Sequence, residues 1–464
     1  MSIINPIKAV IMTAALVLGL SVFALALGLF LAGFTPAHAS EVKLSAGLGQ
    51  SVISTKGGKV YLRLSLEALA HEVSENRPPI NVGLVLDRSG SMRGPRIAAA
   101  KDAARMALSR LGRDDVVALV AYNHNVDVLQ PARQLGSHET FTSAIDRLTA
   151  DGRTALYAGV KEGGRQVERF MSDRRINRVI LMSDGMANVG PSSPSELAKL
   201  GQTLGGKGIS VTTIGLGLGY NEDLMQRLAQ ASDGNHAFAE TPEDLVKIFN
   251  AEFGDTLSIA AKDIEIIIEV RAGFRPVRVL GRDADIDGSR IKVRLNQLTA
   301  LNARYMVVEL DASSSTPTND VAVAQIETQY LDLQVGERRK TMAQINATIS
   351  DDKVKQEASR NKEVLSEITT QIATERSEKA VDLRDKGDLD GARKLLQENA
   401  AYLKSSRGIY AAGEAPASAK ALKELEQLEQ QNVTAADNLD EKKWTKTRKS
   451  MRYQQHKAKV RQSY

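Results

Sequence analysis

Hydrophobic and polar positions change period several times along the chain. Residues 9–34 form an apolar run without a charge, closed by Pro36 and followed by Ala37-His38-Ala39. Such a run predicts either a secretory signal cleaved before Ser40 or an uncleaved anchor, since about 20 apolar residues span a bilayer. Residues 40–79 predict a β-rich lead-in: 60–66 alternates apolar and polar side chains like a half-buried strand, and Arg77-Pro78-Pro79 marks a linker. From Ile80 the period changes. Apolar runs at 80–86, 116–121, 179–182 and 209–215 alternate with helical stretches at 95–111, 155–170, 195–204 and 222–231. Continuous apolar runs suit strands covered on both faces of a parallel sheet. Strand–helix alternation predicts a doubly wound, Rossmann-like α/β domain over 80–254.

Alternation of period two returns at Ile264, Ile266, Ile268 and Val270. Further strands are expected at 277–280, 291–295, 305–310 and 321–333, so 255–335 reads as a small β-sandwich-like region. Residues 336–433 then read as helical. Leu365, Ile368, Ile372, Ala380 and Leu383 sit near helical spacing, and 386–390 links two helices, with a third at 417–431. The segment DKGDLDGARKLL resembles one inter-helix turn of a tetratricopeptide repeat, but no second copy recurs at a fixed period, so a helical hairpin or short coiled coil is expected.

Charge adds a tail to this picture. Nine of the basic residues fall in 442–464, which contains no acid, and the body before it is mildly acidic despite the overall +5. Residues 434–464 therefore read as a basic, disordered tail able to attract an anionic membrane surface, nucleic acid or an acidic protein surface. With no cysteine, disulfides, thiolate zinc sites and a cysteine nucleophile are excluded. Aromatics at 4% give no stacking surface for nucleic acid, and no specific nucleic-acid partner is expected.

The chemistry concentrates where strands end. Asp87-Arg88-Ser89-Gly90-Ser91 follows the apolar run 80–86; Thr154 opens a helix after Asp151-Gly152-Arg153; Ser183-Asp184-Gly185 closes the run 179–182. Asp and Ser are common turn and cap residues, so the first motif alone says little. Three such motifs at the carboxyl edge of one open sheet, where ligands bind, say more. Asp87, Ser89, Ser91, Thr154 and Asp184 offer only oxygen and two negative charges, which suits a hard cation such as magnesium, with manganese or calcium as alternatives.

This set, D-x-S-x-S, then T, then S-D-G, resembles the metal-ion-dependent adhesion site of von Willebrand factor type A (VWA) domains. The runs RVILMSDGMANVG at 178–190 and IGLGLGYNE at 214–222 are similar to bacterial secreted or membrane-anchored members often labelled calcium-activated chloride channel homologues. With at most one membrane segment expected, a channel is not. The resemblance covers 80–254. It implies that Asp87, Ser89 and Ser91 form a first ligand loop, Thr154 a second and Asp184 a third, with hydroxyls on the ion directly and acids directly or through water. Arg153 stands where many members have a small residue.

The expected function is divalent-cation-dependent protein binding, without enzyme activity, in the bacterial cell envelope, either periplasmic or anchored in the inner membrane and facing the periplasm. The partner supplies an acidic residue to the cation, and His124, Arg153 and Met186 are candidates for the rim. Two alternatives stand beside it. One is a scaffold whose metal site only steadies the fold. The other is a phosphatase with Asp87 as nucleophile, as in haloacid-dehalogenase-like enzymes; these want a second acid two residues on, where this chain has Ser89, so the general acid is missing.

Overall fold

A computed structural model describes residues 42–460 other than 69–76, 242, 246, 250–257, 301–302 and 414. The apolar run at 9–34 and the expected cleavage pattern lie outside the described residues. Among those described, no helix is long and apolar enough to cross a membrane.

Three strands lead in: β1 (Val42–Leu48), β2 (Val52–Ile53) and β3 (Gly58–Ala68). The α/β domain follows as β4 (Ile80–Asp87), α1 (Pro95–Ser109), β5 (Val116–Tyr122), β6 (Val126–Gln134), α2 (His138–Asp146), α3 (Leu156–Glu168), β7 (Ile176–Ser183), α4 (Pro194–Gly206), β8 (Ser210–Leu216), α5 (Glu222–Ala231) and β9 (His236–Ala239). Its six strands run in the order β6-β5-β4-β7-β8-β9, parallel except for the edge strand β6. Every residue of β4, β5, β7 and β8 is buried. One face carries α1 and α2 through an alanine-rich ridge from Ala99 to Leu108 and through Phe141. The other carries α3, α4 and α5 through Leu156, Val160, Leu200 and Leu228. Gly163 lets α3 press onto the sheet, where an added Cβ would stand 2.4 Å from Val85. The chain winds outward from β4 in one direction through β5 and in the other through β7. The crevice between β4 and β7 is thus the switch point where doubly wound sheets bind ligands.

A second body contains β10 (Ile259–Val270), β11 (Phe274–Leu280), β12 (Asp285–Asp287), β13 (Arg290–Thr299), β14 (Ala303–Ala312), β15 (Thr318–Asp332) and β16 (Glu337–Ile349). It is a sandwich of a four-stranded sheet, β1-β3-β14-β11, and a six-stranded one, β12-β13-β10-β15-β16-β2. The lead-in strands therefore belong to the sandwich, and the α/β domain is inserted between β3 and β10. Leu62, Leu64 and Leu66 of β3 share one core with Ile264, Ile266 and Ile268 of β10 and Val308 of β14.

Two sequence expectations are corrected here. The stretch after Gly336 does not turn helical at once: β16 pairs with β15 from Asp332 opposite Glu337 to Thr318 opposite Ile349. Helices start with α6 (Lys353–Ala358) and continue as α7 (Lys362–Asp385), α8 (Leu389–Ala411), α9 (Ala419–Asp437) and α10 (Glu441–Val460). Gly387, at φ +89°, and Asp388, which caps Gly391, make the α7–α8 link.

The second correction concerns the basic tail, which folds as α10 and docks. Its cations meet the acids of two neighbours: Arg448 bonds Glu222 and Asp223 of α5 and Asp385 of α7, and Arg452 reaches Asp223 and Asp382. Lys449 is buried, pairing with Glu222, donating to the Tyr220 carbonyl at 2.6 Å and standing 4.1 Å from the Tyr220 ring centroid. Further along, the His236 backbone N–H at the start of β9 donates to His456 Nε2 at 3.1 Å. The tail's charge serves internal pairing on one face, which a run of basic residues does not reveal by itself.

Candidate metal centre

Asp87 and Asp184 sit where the buried strands β4 and β7 reach the carboxyl edge, whereas Thr154 lies in the loop between α2 and α3 and follows no strand. Asp87 is the last residue of β4 and fully buried. Its Oδ1 accepts from the Ser89 backbone N–H at 2.8 Å and its Oδ2 from the Ser183 hydroxyl at 2.5 Å. Burial pushes its carboxyl above the usual carboxylate range, the bonds from Ser183 and Ser89 pull it back, and nearby Asp184 pushes it up again. Ser89 and Ser91 lie 3.1 Å apart between their hydroxyls, and Ser91 donates to Asp184 Oδ1 at 2.7 Å.

The hydroxyls are not spent on helix capping. Ser89 precedes a 3-10 turn at Gly90–Met92 and Thr154 precedes α3, and neither helix start has a side-chain cap bond. The loops are instead laced by backbone bonds. Gly90 N–H donates to the Gly152 carbonyl at 3.0 Å, Asp151 N–H to the Arg88 carbonyl at 2.8 Å, and Asn188 N–H to the Thr154 carbonyl at 3.1 Å. Asn188 returns a side-chain bond, accepting from Thr154 N–H at 2.9 Å.

Gly185 shows how the three loops converge. A Cβ added there would stand 3.1 Å from Thr154 Oγ1 and 3.4 Å from both Asp87 Oδ2 and Ser91 Oγ. Side-chain oxygens from the first and second motifs thus surround one small space beside Gly185 of the third, and Asp184 joins them through Ser91. Among the described residues, no three of the His, Cys, Asp and Glu side chains gather as metal ligands. Three of the five side chains here are hydroxyls and only two are carboxylates, an all-oxygen set that suits a hard cation that keeps part of its water shell.

The rim candidates are placed less centrally. His124 is exposed and lies against Gly152. Arg153 is exposed and donates to the Asn188 carbonyl at 3.2 Å, joining the second loop to the third. Met186 is also exposed. Sequence reasoning missed two residues. Ser183, inside the S-D-G motif, holds Asp87 rather than facing outward. Arg96, in the first turn of α1, bonds Asp184 Oδ2 at 2.6 Å and the Ser91 carbonyl at 3.1 Å. Its position at the start of the helix that follows the first ligand loop was the only signal that could have found it.

Residues 81–251 match the family model of the von Willebrand factor type A domain. The chain carries a VWA domain. Over 346 residues it is 26% identical to the uncharacterized protein sll0103 of Synechocystis sp., covering 72% of this chain and 81% of that one. Over 210 residues it is 30% identical to the uncharacterized protein YfbK of Escherichia coli, covering 44% of this chain and 36% of that one. A solved von Willebrand factor type A protein from Catenulispora acidiphila shares the fold at a TM-score of 0.68 and 16% identity, over 85% of this chain and 97% of that one. VWA domains commonly mediate protein–protein interactions, often bind a divalent metal, and are mostly non-enzymatic.

Proposed function

We propose that this chain binds a protein partner through a divalent cation, magnesium by its ligand chemistry, held by Asp87, Ser89, Ser91, Thr154 and Asp184. The observation that carries the reading is the convergence of Thr154 Oγ1, Asp87 Oδ2 and Ser91 Oγ around Gly185. A bound cation would supply an electrophile able to attract an oxygen ligand. The chain's part is to hold that centre rigidly and partly dry, where Coulomb attraction exceeds that in bulk water. A carboxylate of the partner is the complementary group, and His124, Arg153 and Met186 stand where they can meet the residues around it. The uncharged run at 9–34 supports a location in the cell envelope.

Titration calorimetry of the full chain with magnesium and manganese tests the centre. Wild type is expected to bind and Thr154→Ala to lose most of the affinity while keeping its circular dichroism spectrum. A cell-envelope extract passed over immobilised chain, with magnesium or with chelator, tests the partner: retention only with magnesium, lost in Thr154→Ala, is expected. Equal cation affinity in the two proteins would overturn the assignment.

Arg96 gives a finer expectation. Its guanidinium competes for Asp184, and at a half-exposed site that pair is worth roughly 0.5–1 kcal/mol. Arg96→Ala should therefore tighten magnesium binding about two- to fivefold in the same titration; weaker binding would assign Arg96 to support of the centre instead.

A further inference from the structure

Between α9 and α10 lies an open groove of about 920 Å³. We infer that it binds an extended acidic peptide segment, belonging to the same protein partner that the metal centre engages; in that last respect the inference rests on the function proposed above. Lys442, Lys443, Lys446 and Lys457 line the groove, and no acidic side chain does. Lys443, Lys446 and Lys457 recur on one face of α10 at helical spacing. Opposite them α9 presents Gln427, Gln431 and Asn438, also one face. Amides donate and accept at once, which matches the paired N–H and C=O groups of an extended backbone, while the lysines match its carboxylates.

Length and continuity argue for the same occupant. From Lys443 to Lys457 the face of α10 runs about 21 Å at ~1.5 Å per residue. An extended chain covers that distance in about six residues. The groove is also joined to the metal centre by one short loop. Leu218, 44% exposed, lines the groove. Its neighbours touch the centre: a Cβ on Gly219 would stand 3.1 Å from the Asp184 carbonyl, and one on Gly217 3.4 Å from the Arg96 guanidinium. A single acidic segment can therefore leave the metal rim and enter the groove past Leu218. Nucleic acid fits less well, because single strands bind by stacking on aromatic rings and none lines the groove. A concave groove also suits a chain better than a planar membrane.

The test uses the full chain and labelled hexaglutamate, with hexaserine as the neutral control, read by fluorescence anisotropy. In chelator, hexaglutamate is expected to bind and hexaserine not. The triple variant Lys442→Gln/Lys443→Gln/Lys446→Gln should weaken hexaglutamate about tenfold, with magnesium affinity unchanged. Among the described residues Lys446 pairs with exposed Glu240 and Lys443 with exposed Asp440, so the variant leaves the docking of α10 by Arg448 and Lys449 in place. Thr154→Ala should leave binding in chelator untouched, which separates failure of the groove from failure of the metal centre. Equal binding of hexaglutamate by the triple variant overturns the inference. So does tighter, lysine-dependent binding of oligothymidylate or phosphatidylglycerol vesicles.

Discussion

Replacing Glu222 by glutamine is expected to loosen α10 from the VWA domain and to cost about 3–5 kcal/mol at neutral pH, the range for removing one member of a buried ion pair. Glu222 is 6% exposed and faces two cations, Arg448 and Lys449, while Lys449 is itself 2% exposed. Glutamine keeps the size but removes the charge. Arg448 retains Asp223 and Asp385. Lys449 is left with the carbonyl and ring of Tyr220 and the charge of Asp223, against the positive Arg448 beside it. Lys449→Met should cost less, because Glu222 then still has Arg448.

The pH dependence identifies the cause. Burial holds the Lys449 ammonium below its ordinary range, and Glu222 is the largest force opposing that shift. Without Glu222 the shift deepens. A base whose folded-state pKa is depressed binds fewer protons folded than unfolded between the two values, so stability rises with pH through that window. The deficit of Glu222→Gln should therefore shrink as pH climbs from neutrality towards about 10, the ordinary lysine value, and the wild-type curve should rise less steeply. Urea unfolding across that range, with amide exchange in β9 and α10 as the local readout, checks this. A pH-independent deficit, or exchange confined to other elements, would remove Lys449 from the explanation.

How legible this was in the sequence follows from sequence distance. The α/β domain was readable because β4, β5, β7 and β8 are buried on both faces and so appear as unbroken apolar runs. Strand β6 was missed: it is an edge strand, Val126 to Gln134, with exposed polar positions and Pro131 inside it. The sandwich was only half read. The alternation of β3 was visible, but its partner β14 lies more than two hundred residues away, where local pattern carries no information. Strand β16 begins with four charged residues, and its sheet contacts come from Ala343, Ile345, Ala347 and Ile349, too sparse a pattern to outweigh its polarity. The convergence of Asp87 and Asp184 could be expected from the motifs because each ends a buried strand of one doubly wound sheet, whereas Thr154 reaches them from a loop between two helices. Arg96 and Ser183 were not read, since their roles depend on which side-chain oxygen each one meets.

The same buried carboxylate that would bind the cation should be a burden without it. Asp87→Asn is expected to leave the chain at least as stable as wild type in chelator and to remove all stabilisation by magnesium. Asp87 has no exposed surface, and the charge of Asp184 adds to the cost of ionising it. Asparagine is nearly isosteric. Its carbonyl can accept from Ser89 N–H and its amide can donate to the Ser183 hydroxyl, replacing both present bonds. The neutral side chain therefore keeps the packing and relieves the carboxylate repulsion, but it takes half the negative charge from the five-residue set. Wild type with magnesium at one hundred times its Kd should gain about 2.7 kcal/mol, seen as a rise in Tm absent from the variant. Thermal melts of both proteins, in chelator and in magnesium, separate the two effects. Equal magnesium-induced shifts would mean that the cation binds elsewhere. A large loss of stability in chelator would mean that the Asp87 charge serves the fold rather than a ligand.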